Sequence, residues 1–225
     1  MKRNLKALGL AIAAVLAIGA FVGAAGVQAA APEFHVTSNG GSGGVVKGAS
    51  NDNVFTVQGG NVKCVENGGV KGARFETTLP KTGTEATVKA AYGNAGKGCT
   101  AFGVAAIVHM GSCDYLLKAV AGSNPPTAKV DIKCDTDGDA IAITASSLPC
   151  TITIGPQTGL THVIFANNEG SEPTDVTASI TVEKIKYTVI GLGCSKAGTF
   201  EDGKYTGTTT LEAFEGAPKV GFHVF

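Results

Sequence analysis

The chain has 225 residues, 44% of them hydrophobic, and its 18 basic residues balance its 18 acidic residues. The apolar fraction is too high for a disordered chain, and the length suits one large all-β domain or two small ones. Nothing in the charge points to nucleic acid: without the basic N-terminal segment discussed next, 18 − 3 = 15 bases remain against 18 acids.

Residues 1–29 have the three parts of a secretory signal peptide. A basic start is followed by an apolar run from Leu8 to about Val22 and by small residues at Val27 and Ala29. We expect cleavage after Ala29, which yields a secreted mature chain. The alternative is an uncleaved membrane anchor, but the run is short and lacks a basic stop-transfer flank, and no later apolar run could span a membrane as a helix.

Residues 30–52 are predicted to be a flexible N-terminal segment. They contain the glycine-rich stretch NGGSGG at residues 39–44, a composition typical of a flexible linker. The folded part is therefore expected to begin near Val54.

From there the sequence alternates apolar and polar residues over short runs that are separated by Gly, Asn, Asp and Pro turns, which is the pattern of β-strands. Spacings near ten residues favour an antiparallel, β-sandwich-like all-β fold. A weak subdivision near Pro149 separates a β-rich first half, residues 53–149, from a β-rich second half, residues 150–225; whether these are one domain or two stays open. The predicted strands cover residues 53–57, 61–65, 74–78, 86–91, 102–108, 115–120, 128–134, 140–145, 150–154, 162–166, 176–189, 205–214 and 220–224.

The longest predicted strand, residues 176–189, changes its alternation in the middle. Ile180 and Val182 share one parity, whereas Ile185 and Tyr187 share the other. One extra residue at about positions 183–184 would return all four side chains to one face. The sequence therefore predicts a β-bulge there.

All the cysteines follow the signal segment, and their number is even: Cys64, Cys99, Cys113, Cys134, Cys150 and Cys194. In an exported protein this predicts three disulfides. Zinc is disfavoured because no CxxC pair is present and no histidine stands near a cysteine at ligand spacing. Fifteen pairings are open to six cysteines. We expect neighbours in sequence to pair, with roughly 3 to 4 kcal/mol contributed by each bridge in the chain-entropy model.

Three carboxylates stand at alternate positions in the sequence DTDGD: Asp135, Asp137 and Asp139. This resembles the start of a calcium loop, but the glycine and glutamate that an EF-hand requires further on are absent. A hairpin turn at Asp137 explains the same residues. Calcium binding by the three aspartates is kept as the alternative, and no other cofactor is expected.

No catalytic residue can be assigned from the sequence. His35, His109, His162 and His223 are scattered, and none has a recognisable spacing to Cys, Asp or Ser. A site of a histidine and a carboxylate could still be assembled by folding. A secreted hydrolase therefore stays open as an alternative, although the sequence favours a non-enzymatic protein.

Several short motifs resemble a recurrent group of secreted actinobacterial proteins of unknown function, which are rich in β-structure and contain cysteines. The motifs are VKC at residues 62–64, GCTAFG at 98–103, GSCDY at 111–115, VDIKC at 130–134, PCTITIGPQ at 149–157 and DGKYTG at 202–207. The resemblance covers nearly the whole mature chain. It implies export, cysteine-dependent folding and β-structure, and it supplies no catalytic residues.

The leading hypothesis is a secreted, disulfide-stapled β-domain that acts as a structural or interaction module, with an extracellular or cell-surface partner of unknown identity. The first alternative is a calcium- or ligand-binding module that uses the aspartate cluster. The second is the hydrolase.

Overall fold

The computed structural model describes residues 33–38, 40–66, 69–94, 98–168 and 174–225. The predicted signal peptide, residues 1–29, lies outside them. The described residues form seventeen strands and no helix. The strands are β1 (Phe34–Thr37), β2 (Gly44–Ser50), β3 (Asp52–Val57), β4 (Gly60–Val65), β5 (Ala73–Leu79), β6 (Thr82–Gly83), β7 (Glu85–Tyr92), β8 (Cys99–Ala101), β9 (Val104–His109), β10 (Cys113–Ala119), β11 (Thr127–Cys134), β12 (Ile141–Ala145), β13 (Thr151–Ile154), β14 (Gln157–Asn167), β15 (Asp175–Ile190), β16 (Gly198–Phe214) and β17 (Lys219–Val224).

The all-β, antiparallel, disulfide-stapled class is confirmed, and every predicted strand overlaps an observed one. The flexible segment at residues 30–52 differs from the prediction, because β1 and β2 lie within it. Glycine serves close packing in β2 rather than flexibility. A Cβ atom added at Gly48 would lie 2.6 Å from Leu211 Cδ2, and one at Gly44 would lie 2.8 Å from the Phe214 carbonyl oxygen. The backbone of β16 therefore excludes a Cβ atom at Gly44, whereas at Gly48 the Leu211 side chain would have to move.

The centre of the fold is the long hairpin of β15 and β16, which is paired from Asp175 opposite Glu212 to Val189 opposite Gly198. The predicted bulge is confirmed: the register shifts between Val182 and Ile185, and Lys184 has a positive φ of 60°. Val182 and Ile185 are both buried as a result. The bulge divides the hairpin into two halves, each of which belongs to a different ring of strands.

The first ring contains eight strands and closes on itself. Its strands pair in the order β2, β5, β7, β10, β11, β14, β15 and β16, and β16 returns to β2. Strands β1 and β17 pair with each other, β17 pairs with the end of β16, and β1 pairs with β6. Closure buries one face of each strand, so opposite walls of the ring pack face to face across an apolar interior.

The second ring also contains eight strands and shares the hairpin with the first. It follows β3, β4, β8, β9, β12, β13, β15 and β16, and β16 returns to β3. Strands from residues 53–149 pair with strands from residues 150–225 in both rings, as in β11 with β14 and β3 with β16. All seventeen strands therefore form one hydrogen-bonded sheet.

Tyr187 holds the second ring to the shared hairpin. Its ring is buried, stacks on Phe200 at 5.4 Å between centroids and meets Phe55 edge-on at 5.7 Å. Its hydroxyl donates to Asp202 Oδ1 at 2.9 Å and accepts from the Gln58 N–H at 2.6 Å. Burial raises the pKa of Tyr187 to about 12, so the hydroxyl stays protonated and keeps donating to the carboxylate.

Three disulfides join the neighbours in sequence, as expected: Cys64 to Cys99, Cys113 to Cys134 and Cys150 to Cys194. The first two pairs stand directly opposite each other on adjacent strands, β4 with β8 and β10 with β11. The third ties the residue before β13 to the turn between β15 and β16. Each bridge therefore fixes a ladder or a hairpin that closes one of the rings.

Candidate functional site

A cavity of about 140 Å³ lies inside the fold, where the interiors of the two rings meet. The first ring contributes residues such as Val88, Leu117 and Ile180, and the second contributes residues such as Phe55, Val108 and Ile143. Nearly all of the lining is apolar, because the inward-facing positions of both rings carry aliphatic and aromatic side chains. A space of this kind favours an apolar occupant over water.

A chain of hydrogen bonds forms the polar part of the cavity wall. The Tyr92 hydroxyl lies 3.1 Å from that of Tyr115 and donates to that of Tyr205 at 3.3 Å. Tyr205 in turn donates to Asn53 Oδ1 at 2.6 Å, and the Asn53 amide donates to the Cys64 carbonyl oxygen at 3.5 Å. Because Tyr92 gives its proton to Tyr205, the bond with Tyr115 has Tyr115 as the donor.

Burial raises the pKa of Tyr92, Tyr115 and Tyr205 well above the ordinary range of tyrosine. All three hydroxyls are therefore neutral at physiological pH and act as hydrogen-bonding groups, not as nucleophiles. The Tyr115 oxygen stands at the beginning of the chain and keeps lone pairs that can accept a further hydrogen bond. A ligand donor could meet it there.

Thr77 supplies a second polar group to the cavity. The residue is 9% exposed, and it lines the cavity from β5. Among the described residues, its Oγ1 is the buried side-chain polar atom without a hydrogen-bond partner. A buried hydroxyl without a partner costs roughly 1–3 kcal/mol, so such an atom calls for an explanation. A ligand atom that bonds to Thr77 inside the cavity would provide one.

An outer crevice of about 420 Å³ lies between β7 and β9, on the side of the fold where the rings diverge. Strand β7 pairs with β10 only up to Val88, and the later residues of β7 face this crevice. Tyr92 and Val108 line both the crevice and the cavity, so these two side chains stand between the two spaces. Arg74 and His109 also line the crevice, and both are exposed.

The three aspartates of the predicted calcium cluster are not assembled into a ligand set. Within the described residues, no three His, Cys, Asp or Glu side chains come together as a metal-binding group. Asp135 and Asp137 are exposed, whereas Asp139 accepts hydrogen bonds from the backbone N–H groups of Ser112 at 2.7 Å and Ala140 at 3.0 Å. The Ser112 N–H is the main reason that the pKa of Asp139 is lowered. Asp139 thus holds the turn before β10.

The fold brings two of the four histidines together and leaves His109 apart from them. His35 and His223 face each other across β1 and β17, with ring centroids 6.1 Å apart, and His109 lies in the crevice. The crevice lining contains no carboxylate among the residues that the structure describes. The hydrolase alternative stays a hypothesis without an assembled His and carboxylate pair at this site.

Sequence reasoning missed the cavity residues. Thr77 carried a signal, because it occupies an inward position between Phe75 and Leu79 in the alternation of β5. A polar residue on the apolar face of a strand marks either a buried hydrogen bond or a site. Tyr92 and Tyr115 carried none, because an inward tyrosine is an ordinary core residue.

Comparison with known proteins identified no matching family model, no matching curated protein and no matching solved structure. No helix in the described ranges is long and apolar enough to cross a membrane. The functional argument therefore depends on the geometry of the cavity and the crevice.

Proposed function

We propose that this protein is an exported, non-enzymatic binding protein that holds a small, largely apolar molecule in the cavity between its two rings. The observation that supports this most directly is the unpaired Thr77 hydroxyl in the lining of an apolar cavity. In an empty cavity the Thr77 hydroxyl has no hydrogen-bond partner, whereas a ligand with one polar atom would supply one.

The energetic cost of the cavity points the same way. Protein interiors are close-packed, and an unfilled void costs about 24 cal/mol for each Å³. For a cavity of about 140 Å³ this amounts to about 3 kcal/mol. An apolar occupant recovers much of that loss through dispersion contacts.

The volume sets the size of the ligand. A cavity of roughly 150 Å³ lined by aliphatic and aromatic side chains holds benzene or xenon. The molecule we propose is therefore a single ring or a short branched chain, with a polar atom that reaches Thr77 or the Tyr115 oxygen.

Export is supported by the predicted signal segment and by the three disulfides. Disulfides persist in oxidising compartments and are rare in the cytosol. A binding protein outside the cell would meet small apolar molecules in dilute solution, and an apolar cavity reduces the contact of such a molecule with water.

Benzene is the first probe, because it tests the apolar cavity without any polar contact. We expect saturable changes in the NMR chemical shifts of methyl groups that line the cavity, Val88 and Leu117 among them. Val88→Phe should fill the cavity and weaken benzene binding at least tenfold. Val65→Phe places the same change on an exposed strand position and should leave binding unchanged. An unmodified protein whose cavity methyl shifts do not respond to benzene would contradict the proposal.

A further inference from the structure

The crevice between β7 and β9 stands directly outside the cavity. Tyr92 and Val108 line both spaces, so these two side chains form part of the wall between them. Strand β7 loses its partner β10 after Val88, and the described ladders join β9 to β8 only at Val104 and Ala105. Two strand edges thus face the crevice. A route to the cavity at this place would require Tyr92 to give up its hydrogen bonds with Tyr115 and Tyr205, but no strand ladder would have to break.

Among the described residues, the crevice lining contains the cationic side chain of Arg74 and the side chain of His109, and no Asp or Glu. Arg74 is the one arginine in the described part of the chain, and it takes part in none of the salt bridges found there. Its Nη2 donates to the Gly93 carbonyl oxygen at 3.5 Å, which is long for a hydrogen bond and leaves most of the guanidinium donors for another acceptor.

We propose that ligands reach the cavity through this crevice, and that the crevice selects apolar molecules that carry a carboxylate, which Arg74 binds at the mouth. The planar guanidinium matches a carboxylate in geometry as well as in charge. The apolar body of the ligand passes between Tyr92 and Val108, while its charged end stays in the crevice beside Arg74. A carboxylate inside the cavity would lose its hydration without gaining a cation. The apolar part of the ligand is therefore placed in the cavity and the carboxylate in the crevice.

This inference rests on the proposed binding function, and the experiment separates the two. The probes are benzene and 3-phenylpropionate, which share a ring and differ by a chain that ends in a carboxylate. We expect the unmodified protein to bind 3-phenylpropionate at least tenfold more tightly than benzene. Arg74→Gln should remove this preference and leave the affinity for benzene unchanged, and Arg74→Lys should restore part of it. Lys63→Gln, on an exposed position of β4, is the matched loss of charge and should change neither affinity.

Access is tested by rate. Ala91 stands opposite Arg74 in the ladder of β5 and β7, and it lines the crevice but not the cavity. Ala91→Trp should slow the exchange of benzene at least tenfold in NMR line-shape measurements and leave its affinity unchanged. Ala105→Trp places the same bulk on an exposed position of β9 outside the crevice lining and should not slow exchange.

Binding of benzene without any preference for 3-phenylpropionate overturns the selection of a carboxylate and leaves the binding function standing. A preference that survives in Arg74→Gln overturns the role of Arg74. Exchange that Ala91→Trp leaves unchanged overturns the crevice as the route. Failure of both probes to bind removes the proposed function itself.

Discussion

The Tyr205 hydroxyl donates a hydrogen bond of 2.6 Å to Oδ1 of Asn53, a side chain that is only 2% exposed. Tyr205 belongs to the shared hairpin and Asn53 to the second ring, and both line the cavity. The bond therefore ties the two rings together at the place where the cavity requires a stable wall. It also satisfies a buried amide oxygen that would otherwise have to be stripped of water.

Tyr205→Phe should destabilise the fold more than the same change at the beginning of the hydrogen-bond chain. It leaves Asn53 Oδ1 buried without its donor, so we expect the free energy of unfolding to fall by roughly 1–3 kcal/mol. Tyr115→Phe removes a donor to Tyr92 but leaves Asn53 paired, so its loss should be smaller. Urea denaturation of both variants gives the comparison. If both variants lost the same free energy of unfolding, the hydrogen bond to Asn53 would stabilise the fold no more than the bond between Tyr115 and Tyr92.

Reduction of the disulfides should destabilise the protein by several kcal/mol. The bridges close sequence separations of 35, 21 and 44 residues, and native bridges of this kind typically contribute about 2 to 5 kcal/mol each. The melting temperature with and without reductant measures the effect. Mass spectrometry without reductant should show the loss of six hydrogens and a mature chain that begins at Ala30. If the melting temperature were the same with and without reductant, the disulfides would contribute nothing to stability.

The parts of the fold that depend on local pattern were open to prediction from the sequence. The bulge in β15 follows from the change of parity between Val182 and Ile185, since side chains on a strand alternate with a period of two. Strand β2 could not be predicted in this way. Gly44 and Gly48 are typical of a flexible linker, and only the folded structure shows that β16 packs against them. Whether a glycine indicates a flexible linker or close packing depends on which atoms lie next to it in the folded structure.

The closure of the rings and the cavity were beyond sequence reasoning for a different reason. Closure depends on which strand edges meet, as when β16 returns to β2 and β3. The cavity is the volume that the inward side chains of both rings fail to fill, and no single residue encodes it. Thr77 was one local sign, because its hydroxyl interrupts the apolar face of β5.

Asp139→Ala tests the turn before β10 and, at the same time, the calcium hypothesis. The carboxylate loses its hydrogen bonds from the Ser112 and Ala140 N–H groups, so the free energy of unfolding should fall by about 1 to 2 kcal/mol with or without calcium. Asp137→Ala removes a neighbouring exposed carboxylate and should cost little. Calcium binding by the cluster stays a prediction: calorimetric titration of the unmodified protein with millimolar calcium should release heat if it is correct, and both variants should then reduce that heat.

Stability at acid pH should depend on Asp131. The Asp131 side chain is 4% exposed; its carboxylate lies 2.7 Å from Lys118 Nζ and accepts a 2.7 Å hydrogen bond from the Gly159 N–H. Burial raises its pKa, but the hydrogen bond from Lys118, the Gly159 N–H and the nearby lysine charges outweigh burial, so the pKa is lowered overall. A carboxylate whose folded pKa lies below its unfolded value of about 3.9 stabilises the fold above that pH, and this stabilisation is lost as the pH falls through the folded pKa.

Asp131→Asn should therefore reduce the free energy of unfolding at pH 7 and flatten its decline between about pH 5 and about pH 2. Asparagine can still accept from Gly159 but no longer attracts Lys118, so the variant isolates the charge from the hydrogen bond. Asp137→Asn makes the same change in net charge at an exposed position and serves as the control. Urea denaturation at several pH values measures both slopes. The free energies of unfolding of both variants could fall with pH at the same slope as that of the unmodified protein. In that case the buried ion pair does not govern stability at acid pH.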